Sequence, residues 1–299
     1  MNLQLHPLQP FGAQASGQDL AQPLDCDGVH AVQAAMDEHA VLVFRHQPLT
    51  QDQQIALARS LGPLDLGLRK LRTGQPHRLD YNELADISNV TADGRVAPRH
   101  HAKIVSNIAN QLWHSDSSFQ RPRAKYSMLA ASVVPAFGGQ TQFADLRMAY
   151  DALPGWRKQQ FEGLQAVHSA LHSRFLLGDT DYTAPQREAI PPATWPLVQS
   201  DPHTGRNILF VGIHVSEIVG MSLPEGRMLV MDLIEHATQP AFVHEHRWQV
   251  DDLVIWDNTA TLHRGRWYDF GERRELRRAT TQEVSGARPD LPGAPARMP

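Results

Sequence analysis

Cysteine is almost absent: Cys26 is the only one in 299 residues. That excludes an intramolecular disulfide and any zinc site built from cysteines. No apolar run approaches the roughly 20 residues that span a bilayer. The opening Met1-Asn2-Leu3-Gln4-Leu5-His6-Pro7 lacks the basic segment and long apolar stretch of a secretory signal, so a cytoplasmic protein is expected. Excess positive charge is missing too. A formal net charge of -4 argues against a nucleic-acid or polyanion binder. What is present is ordinary for a globular protein, with 41% hydrophobic and 20% charged residues. The length is ample for a sizeable core.

Val29, Val32, Met36 and Ala40 fall on helical spacing and predict a helix around Gly28–His39. Ala40–Phe44 reads as a buried strand. Thr50 with Gln53 resembles a capping box for a helix carrying Ile55, Leu57 and Leu61, which Gly62-Pro63 stops. From Leu66 to Val105 polar residues dominate with weak periodicity, which fits a lid over a site or a plain surface excursion. Tyr126–Val134 is strand-like, Pro135–Gly139 a turn, and Gln140–Ala144 the returning strand. Two short helices are expected over Asp145–Leu153 and Pro154–Leu164, and a longer one over Pro224–Thr238. Ile208–His214, Ala241–Trp248, Asp252–Asn258 and Glu275–Thr281 read as strands. The tail from Gly286 to Pro299 is rich in Pro, Gly and Ala and is expected to be poorly ordered. No internal repeat is visible. The pattern predicts a mainly β protein with peripheral helices, for which a double-sheet jelly roll is one architecture.

His114 and Asp116 are two residues apart, and in an extended chain they point to the same face. His263 follows the apolar run Leu253-Val254-Ile255-Trp256. Two histidines and one carboxylate with open positions is the arrangement used by non-heme Fe(II) oxygenases. The short motif is weak by itself, since chance supplies roughly 1.7 such His-x-acid pairs in this composition. It also fits a half-buried histidine beside a strand-end aspartate. Downstream, a strand through Glu272–Thr281 puts Arg274, Leu276, Arg278 and Thr280 on one face, the two arginines roughly 13 Å apart at ~3.3 Å per residue. Planar guanidinium forks suit carboxylates. A solvated edge strand is the alternative.

The chain resembles the taurine dioxygenase/2,4-dichlorophenoxyacetate dioxygenase family of Fe(II)- and 2-oxoglutarate-dependent oxygenases over almost its whole length. The resemblance is carried by Val41–Arg45, Gln51–Ala56, Glu83–Val90, Asn110–Phe119, Ser173–Tyr182, His263–Arg266 and the arginine run Arg273–Thr281. It implies a double-stranded β-helix (jelly roll) and a single catalytic domain over residues 1–285, followed by a tail at 286–299. His114, Asp116 and His263 correspond to the metal ligands. Thr141 matches a hydroxyl donor to 2-oxoglutarate, and Arg274 the arginine that clamps its far carboxylate. Arg278 matches the residue that binds the acidic group of the prime substrate, with Lys70 and His214 at positions linked to substrate binding. The implied cofactor is Fe(II), with 2-oxoglutarate and O2 as cosubstrates. The implied partner is a small-molecule carboxylate, without nucleic acid or membrane, and a homo-oligomer is compatible with it. For an aryloxyacetate, hydroxylation between ether oxygen and carboxylate would release a phenol and glyoxylate.

Rival readings remain at this point. The same chemistry would serve a sulfonate such as taurine. A metal-binding β-barrel without turnover, or a zinc hydrolase, would leave Arg274 and Thr141 without a purpose. His244-Glu245-His246 is a second metal candidate, with a structural role as its alternative. His168 and His172 would share a face if both lay on one helix. Trp113, Trp256 and Phe119 are expected in the core.

Overall fold

The structure, a computed structural model, describes residues 3–67 and 78–284. The expected flexible tail at 286–299 lies outside the described residues, as do residues 68–77 of the expected lid. The chain begins with β1 (Gln4–Pro7), β2 (Ala13–Ser16), α1 (Cys26–His39), β3 (Val41–Phe44), α2 (Gln51–Leu61) and β4 (Ala85–Ser88). Next come α3 (Ala102–Ile108), β5 (Ala124–Val133), β6 (Thr141–Asp145), α4 (Leu146–Asp151), α5 (Gly155–Phe161), β7 (Gln165–His168) and α6 (His172–Leu176). Then follow α7 (Ala184–Glu188), β8 (Ala193–Pro196), β9 (Val198–Ser200), β10 (Asn207–Leu209), β11 (Val215–Ile218) and α8 (Leu223–Ala237). The chain closes with β12 (Val243–His246), β13 (Leu253–Asp257), β14 (Thr261–Gly265) and β15 (Glu275–Gln282).

Strands predominate, and two sheets carry the architecture. The larger has seven strands in the order β1-β2-β3-β13-β5-β15-β4, and the smaller has three, β12-β6-β14. Period-two alternation sorts the larger sheet's side chains. Leu42, Phe44, Met128, Ala130, Leu253 and Ile255 pack with α1 and α2. Their neighbours Val41, Val43, Leu129, Ala131, Val254 and Trp256 pack on the other face, together with Phe143 of β6. Phe143 and Trp256 join the two sheets, their ring centroids 5.5 Å apart. Burying each such large apolar side chain contributes about 1.5–3 kcal/mol. Behind the smaller sheet, Ala144 and Leu262 meet Leu146 of α4 and Val230, Leu233 and Ala237 of α8.

Helix α2 starts where its capping box predicts, and α1 starts at Cys26, two residues before the expected Gly28. Asp25 accepts a hydrogen bond from the Gly28 amide at 2.7 Å to cap α1. Thr50 and Gln53 form a reciprocal capping box on α2.

Three local expectations need correction. Gln140–Ala144 does not return alongside β5. Gly138 and Gly139 adopt φ of 78° and 71°, and the chain turns out of the larger sheet. Strand β6 then pairs with β12 and β14 instead. A side chain at Gly138 would collide with the Trp267 carbonyl oxygen, which explains glycine there. The Ile208–His214 strand ends at Leu209. Its remainder is buried by docking beside the Trp113–His114 segment, where the Ile213 amide donates to the Trp113 carbonyl at 2.9 Å. His168 and His172 share no helix, because His168 ends β7 and His172 begins α6.

Candidate metal centre and anion pocket

The site forms where the interior face of the larger sheet meets β6 and β14. His114 and His263 lie opposite each other as a hydrogen-bonded antiparallel pair. The His114 amide donates to the His263 carbonyl at 3.0 Å, and the His263 amide donates back at 2.8 Å. Their imidazole centroids are 4.1 Å apart. The extended stretch at His114 is one bridge long. The chain then enters a turn at Asp116, and Ser117 takes a left-handed φ of 46°. The Ser117 hydroxyl donates to Asp65 at 2.5 Å, anchoring the turn.

Asp116 nevertheless reaches both imidazoles. Its Oδ1 is 3.8 Å from His114 Nε2 and its Oδ2 is 3.7 Å from His263 Nε2. The potential ligand atoms all lie within 4.8 Å of one another, a spacing that suits one metal ion. Among the described residues no other group of three or more histidines, cysteines and acids meets that criterion, so His244-Glu245-His246 is not a second centre.

Protonation states favour ligation. Burial pushes His114 and His263 down, so both imidazoles are neutral. His114 Nδ1 lies 2.7 Å from the Leu112 carbonyl, which can only accept. The proton therefore sits on Nδ1, and Nε2 presents its lone pair toward Asp116. Burial pushes the Asp116 carboxyl up, but the Arg278 guanidinium and the Ser127 hydroxyl outweigh it and hold it at about 2. Arg278 Nη1 donates to Asp116 Oδ1 at 2.6 Å, and the Ser127 hydroxyl donates to Oδ2 at 2.8 Å. Two neutral nitrogens and one carboxylate oxygen form the donor set that suits Fe(II) with open positions.

Asn258 supports this arrangement. Its Oδ1 accepts from the Asp116 amide at 3.1 Å and from Trp256 Nε1 at 3.0 Å. Its Nδ2 donates to Ser127 Oγ at 2.9 Å. Sequence reasoning missed Ser127 and Asn258. The one available signal was a polar Asp257-Asn258 pair closing an otherwise apolar run.

One cavity is lined by His114, His263, Thr141, Arg274 and Arg278, with Leu129 and Trp256 as apolar wall. Gly265, the register partner of Thr141 on β14, also lines the cavity. Asn107, Asn110 and Gln111 contribute from α3 and the turn after it. Helix α3 is tied to edge strand β4 by Lys103, whose ammonium donates to Asp86 at 2.6 Å and Ser88 at 2.9 Å. The described part of the expected lid is thus anchored to the sheet.

Arg274 is buried and has no acidic partner among the described residues. Its longest-reaching donors touch only the Ile87 and Gly139 carbonyls, at 3.4 and 3.3 Å. Burial pulls the guanidinium down to about 10, with Tyr268 opposing slightly. The Nε atoms of Arg274 and Arg278 are both buried without a hydrogen-bond partner, although Arg278 is half-buried and pairs with Asp116. Arg274, a buried cation without a carboxylate among the described residues, calls for an anionic ligand.

His214 is buried and stands edge-on to His114 at 6.0 Å and to Phe119 at 5.1 Å. Its Nδ1 has no partner, and burial holds its pKa well below the ordinary value. It is not among the residues lining the cavity. Lys70 lies outside the described residues. Trp113 and Phe119 are buried in apolar clusters as expected, while Trp256 serves both the core and the cavity wall.

Fold and site together define a metal-dependent enzyme class: facing β-sheets that hold two histidines and one carboxylate beside an anion pocket. The sequence model of the family described as "Taurine catabolism dioxygenase TauD, TfdA family" matches residues 4–280, and the chain belongs to that family. It is 57% identical over 277 residues to the alpha-ketoglutarate-dependent 2,4-dichlorophenoxyacetate dioxygenase of Cupriavidus pinatubonensis, covering 93% of this chain and 96% of that protein. It is 39% identical to the (S)-phenoxypropionate/alpha-ketoglutarate-dioxygenase of Sphingobium herbicidovorans, covering 88% and 89% of the two chains. Among solved structures, AAD-2 in complex with Mn(II) and N-oxalylglycine superposes with a TM-score of 0.91 at 42% identity, covering 95% of this chain and 99% of that one.

Proposed function

We propose that the protein is an Fe(II)- and 2-oxoglutarate-dependent dioxygenase acting on an aryloxyacetate resembling 2,4-dichlorophenoxyacetate. The attacked carbon lies between the ether oxygen and the carboxylate. Its hydroxylation gives a hemiacetal that collapses to a phenol and glyoxylate, while 2-oxoglutarate and O2 are converted to succinate and CO2. The observation that carries this reading is the pairing of a three-ligand metal centre with two inward guanidinium groups in one cavity, Arg274 lacking any acidic partner among the described residues. Two anions, a keto diacid and a carboxylate substrate, match that demand. Identity to 2,4-dichlorophenoxyacetate dioxygenases supports the substrate class.

In this reading His114, Asp116 and His263 hold the metal, which with 2-oxoglutarate and O2 supplies the oxidising power. Arg274 clamps the far carboxylate of 2-oxoglutarate, and Thr141 adds a hydrogen bond. Arg278 takes the substrate carboxylate, with Lys70 assisting, while His214, off the cavity lining, assists by packing edge-on against His114 and Phe119. Trp256 and Leu129 exclude water and help place the attacked carbon, since small misplacements cost large factors in rate. Residues 1–285 form one catalytic domain whose facing sheets make a double-stranded β-helix.

The test is succinate formation by Fe(II)-loaded protein with 2-oxoglutarate, O2 and a panel of phenoxyacetates and sulfonates. Phenoxyacetate-stimulated succinate and phenol are expected. No stimulated succinate with any acid would refute the activity, and turnover of taurine but not phenoxyacetates would refute the substrate class.

A further inference from the structure

The His244-Glu245-His246 motif belongs to β12, whose register places His246 directly opposite Thr141 on β6. Two residues on, the Trp248 indole Nε1 donates to the Thr141 hydroxyl at 3.0 Å. An indole N–H can only donate. The Thr141 oxygen is therefore committed as an acceptor toward Trp248, and its own proton must point elsewhere. No acceptor among the described residues takes that proton, and Thr141 lines the cavity. The hydroxyl is thereby set as a donor facing the ligand space.

Trp248 is itself held in place. The His246 ring meets it edge-on at 4.5 Å and 85°. His246 Nε2 lies 3.1 Å from Asp252 Oδ2. Asp252 is buried, pairs with Arg45, and accepts from the Gln249 amide at 2.7 Å. The bracket runs from Arg45 through Asp252 and His246 to Trp248, and ends on the Thr141 hydroxyl in the cavity wall. A carboxylate can only accept, so a hydroxyl locked as donor binds it without first reorienting.

We infer that Trp248 is a positioning residue for 2-oxoglutarate, acting through the Thr141 hydroxyl, with His246 and Asp252 fixing the indole. This deepens the 2-oxoglutarate reading above and rests on it. The experiment is calorimetric titration of 2-oxoglutarate into Mn(II)-loaded protein without O2, which needs no turnover. Thr141→Val is expected to weaken binding by about three- to tenfold, the worth of one neutral hydrogen bond. Trp248→Phe keeps that bond possible but frees the hydroxyl among its roughly three staggered positions, so it should weaken binding by about two- to threefold, and it should add nothing in the Thr141→Val background. Thr141→Ser, which keeps the hydroxyl, should bind as wild type and remain sensitive to Trp248→Phe. Should Trp248→Phe not fold, 3-benzothienylalanine at position 248 keeps the ring shape and removes only the N–H. Unchanged affinity in either N–H-free protein, or full additivity with Thr141→Val, would overturn the inference while leaving the proposed activity standing. Absence of 2-oxoglutarate binding by the wild-type protein would overturn both.

Discussion

Arg278 Nη1 stands 2.6 Å from Asp116 Oδ1, so the arginine assigned to the substrate touches the carboxylate assigned to the metal. The two sites share one charge network. Replacing Arg278 removes the group proposed to hold the substrate carboxylate, and truncating one partner of a buried charge pair costs about 2–5 kcal/mol. Arg278→Ala is therefore expected to raise the phenoxyacetate KM by about 30-fold or more. The 2-oxoglutarate KM should move by less than about threefold, since Arg274 and Thr141 are untouched. Steady-state kinetics with each substrate varied separately decide the matter. A larger loss for 2-oxoglutarate than for the phenoxyacetate would reverse the assignment.

Asn258 orients the Asp116 carboxylate, the proposed metal ligand, from behind, through the Asp116 amide and the Ser127 hydroxyl. Partners of metal ligands are typically worth about 10- to 100-fold in metal affinity. Asn258→Leu is expected to fall in that range when the metal-free protein is titrated with Fe(II) under argon. Ser127→Ala should lose less, because Asn258 still holds the Asp116 backbone. Equal affinity in wild type and Asn258→Leu would show that Asp116 needs no such support.

Much of this was legible in the sequence, for identifiable reasons. Period-two alternation placed Arg274 and Arg278 together, and they do line one cavity. The capping box at Thr50 depended on two residues three apart, and local chemistry of that kind survives folding. The grouping of His114 with His263 could be suggested from residue types but carried weight only through the resemblance, because nothing local signals a bridge between such distant segments. Strand β6 was read as an ordinary hairpin partner of β5, because two glycines signal a turn without saying which sheet the chain enters next. Ser127, Asn258 and Trp248 were invisible as site residues, since each acts through a neighbour that only tertiary structure supplies. His244-Glu245-His246 looked like a metal motif because spacing cannot tell a ligand from a ring that braces a tryptophan.

Arg274 offers a test of function set against stability. Burial has pulled its guanidinium from the ordinary arginine range down to about 10, with no carboxylate among the described residues to compensate. At 1.36 kcal/mol per pKa unit, the ligand-free protein carries a burden of a few kcal/mol. Arg274→Met fills similar volume without charge. It is expected to abolish 2-oxoglutarate binding and to leave the Tm of the ligand-free protein equal or higher by a few degrees. Adding 2-oxoglutarate with Mn(II) should raise the wild-type Tm further than Mn(II) alone, and should do nothing extra for the variant. A clear drop in the ligand-free Tm of Arg274→Met would mean that the guanidinium supports the fold itself.

His168 gives the protein a predictable sensitivity to acid. Burial, aided by the nearby Arg123, pushes its imidazole down to about 3. Its Nδ1 contacts the Ser118 hydroxyl at 3.1 Å, its Nε2 has no partner, and the ring stacks on Phe210 at 5.0 Å. The folded protein therefore keeps this ring neutral, while the unfolded chain takes up a proton near pH 6.5. Between those two values the unfolded state binds one more proton, so stability is complete above about pH 6.5 and declines as pH falls toward 3. The slope from this one group approaches about 1.4 kcal/mol per pH unit. His168→Phe keeps the stack and loses the titration. Urea unfolding of both proteins at pH 7, 6 and 5 should show the variant gaining on wild type as pH drops, the other buried histidines cancelling in the difference. A wild-type-minus-variant difference that stays flat with pH would mean that His168 is protonated, or reached by water, in the folded protein.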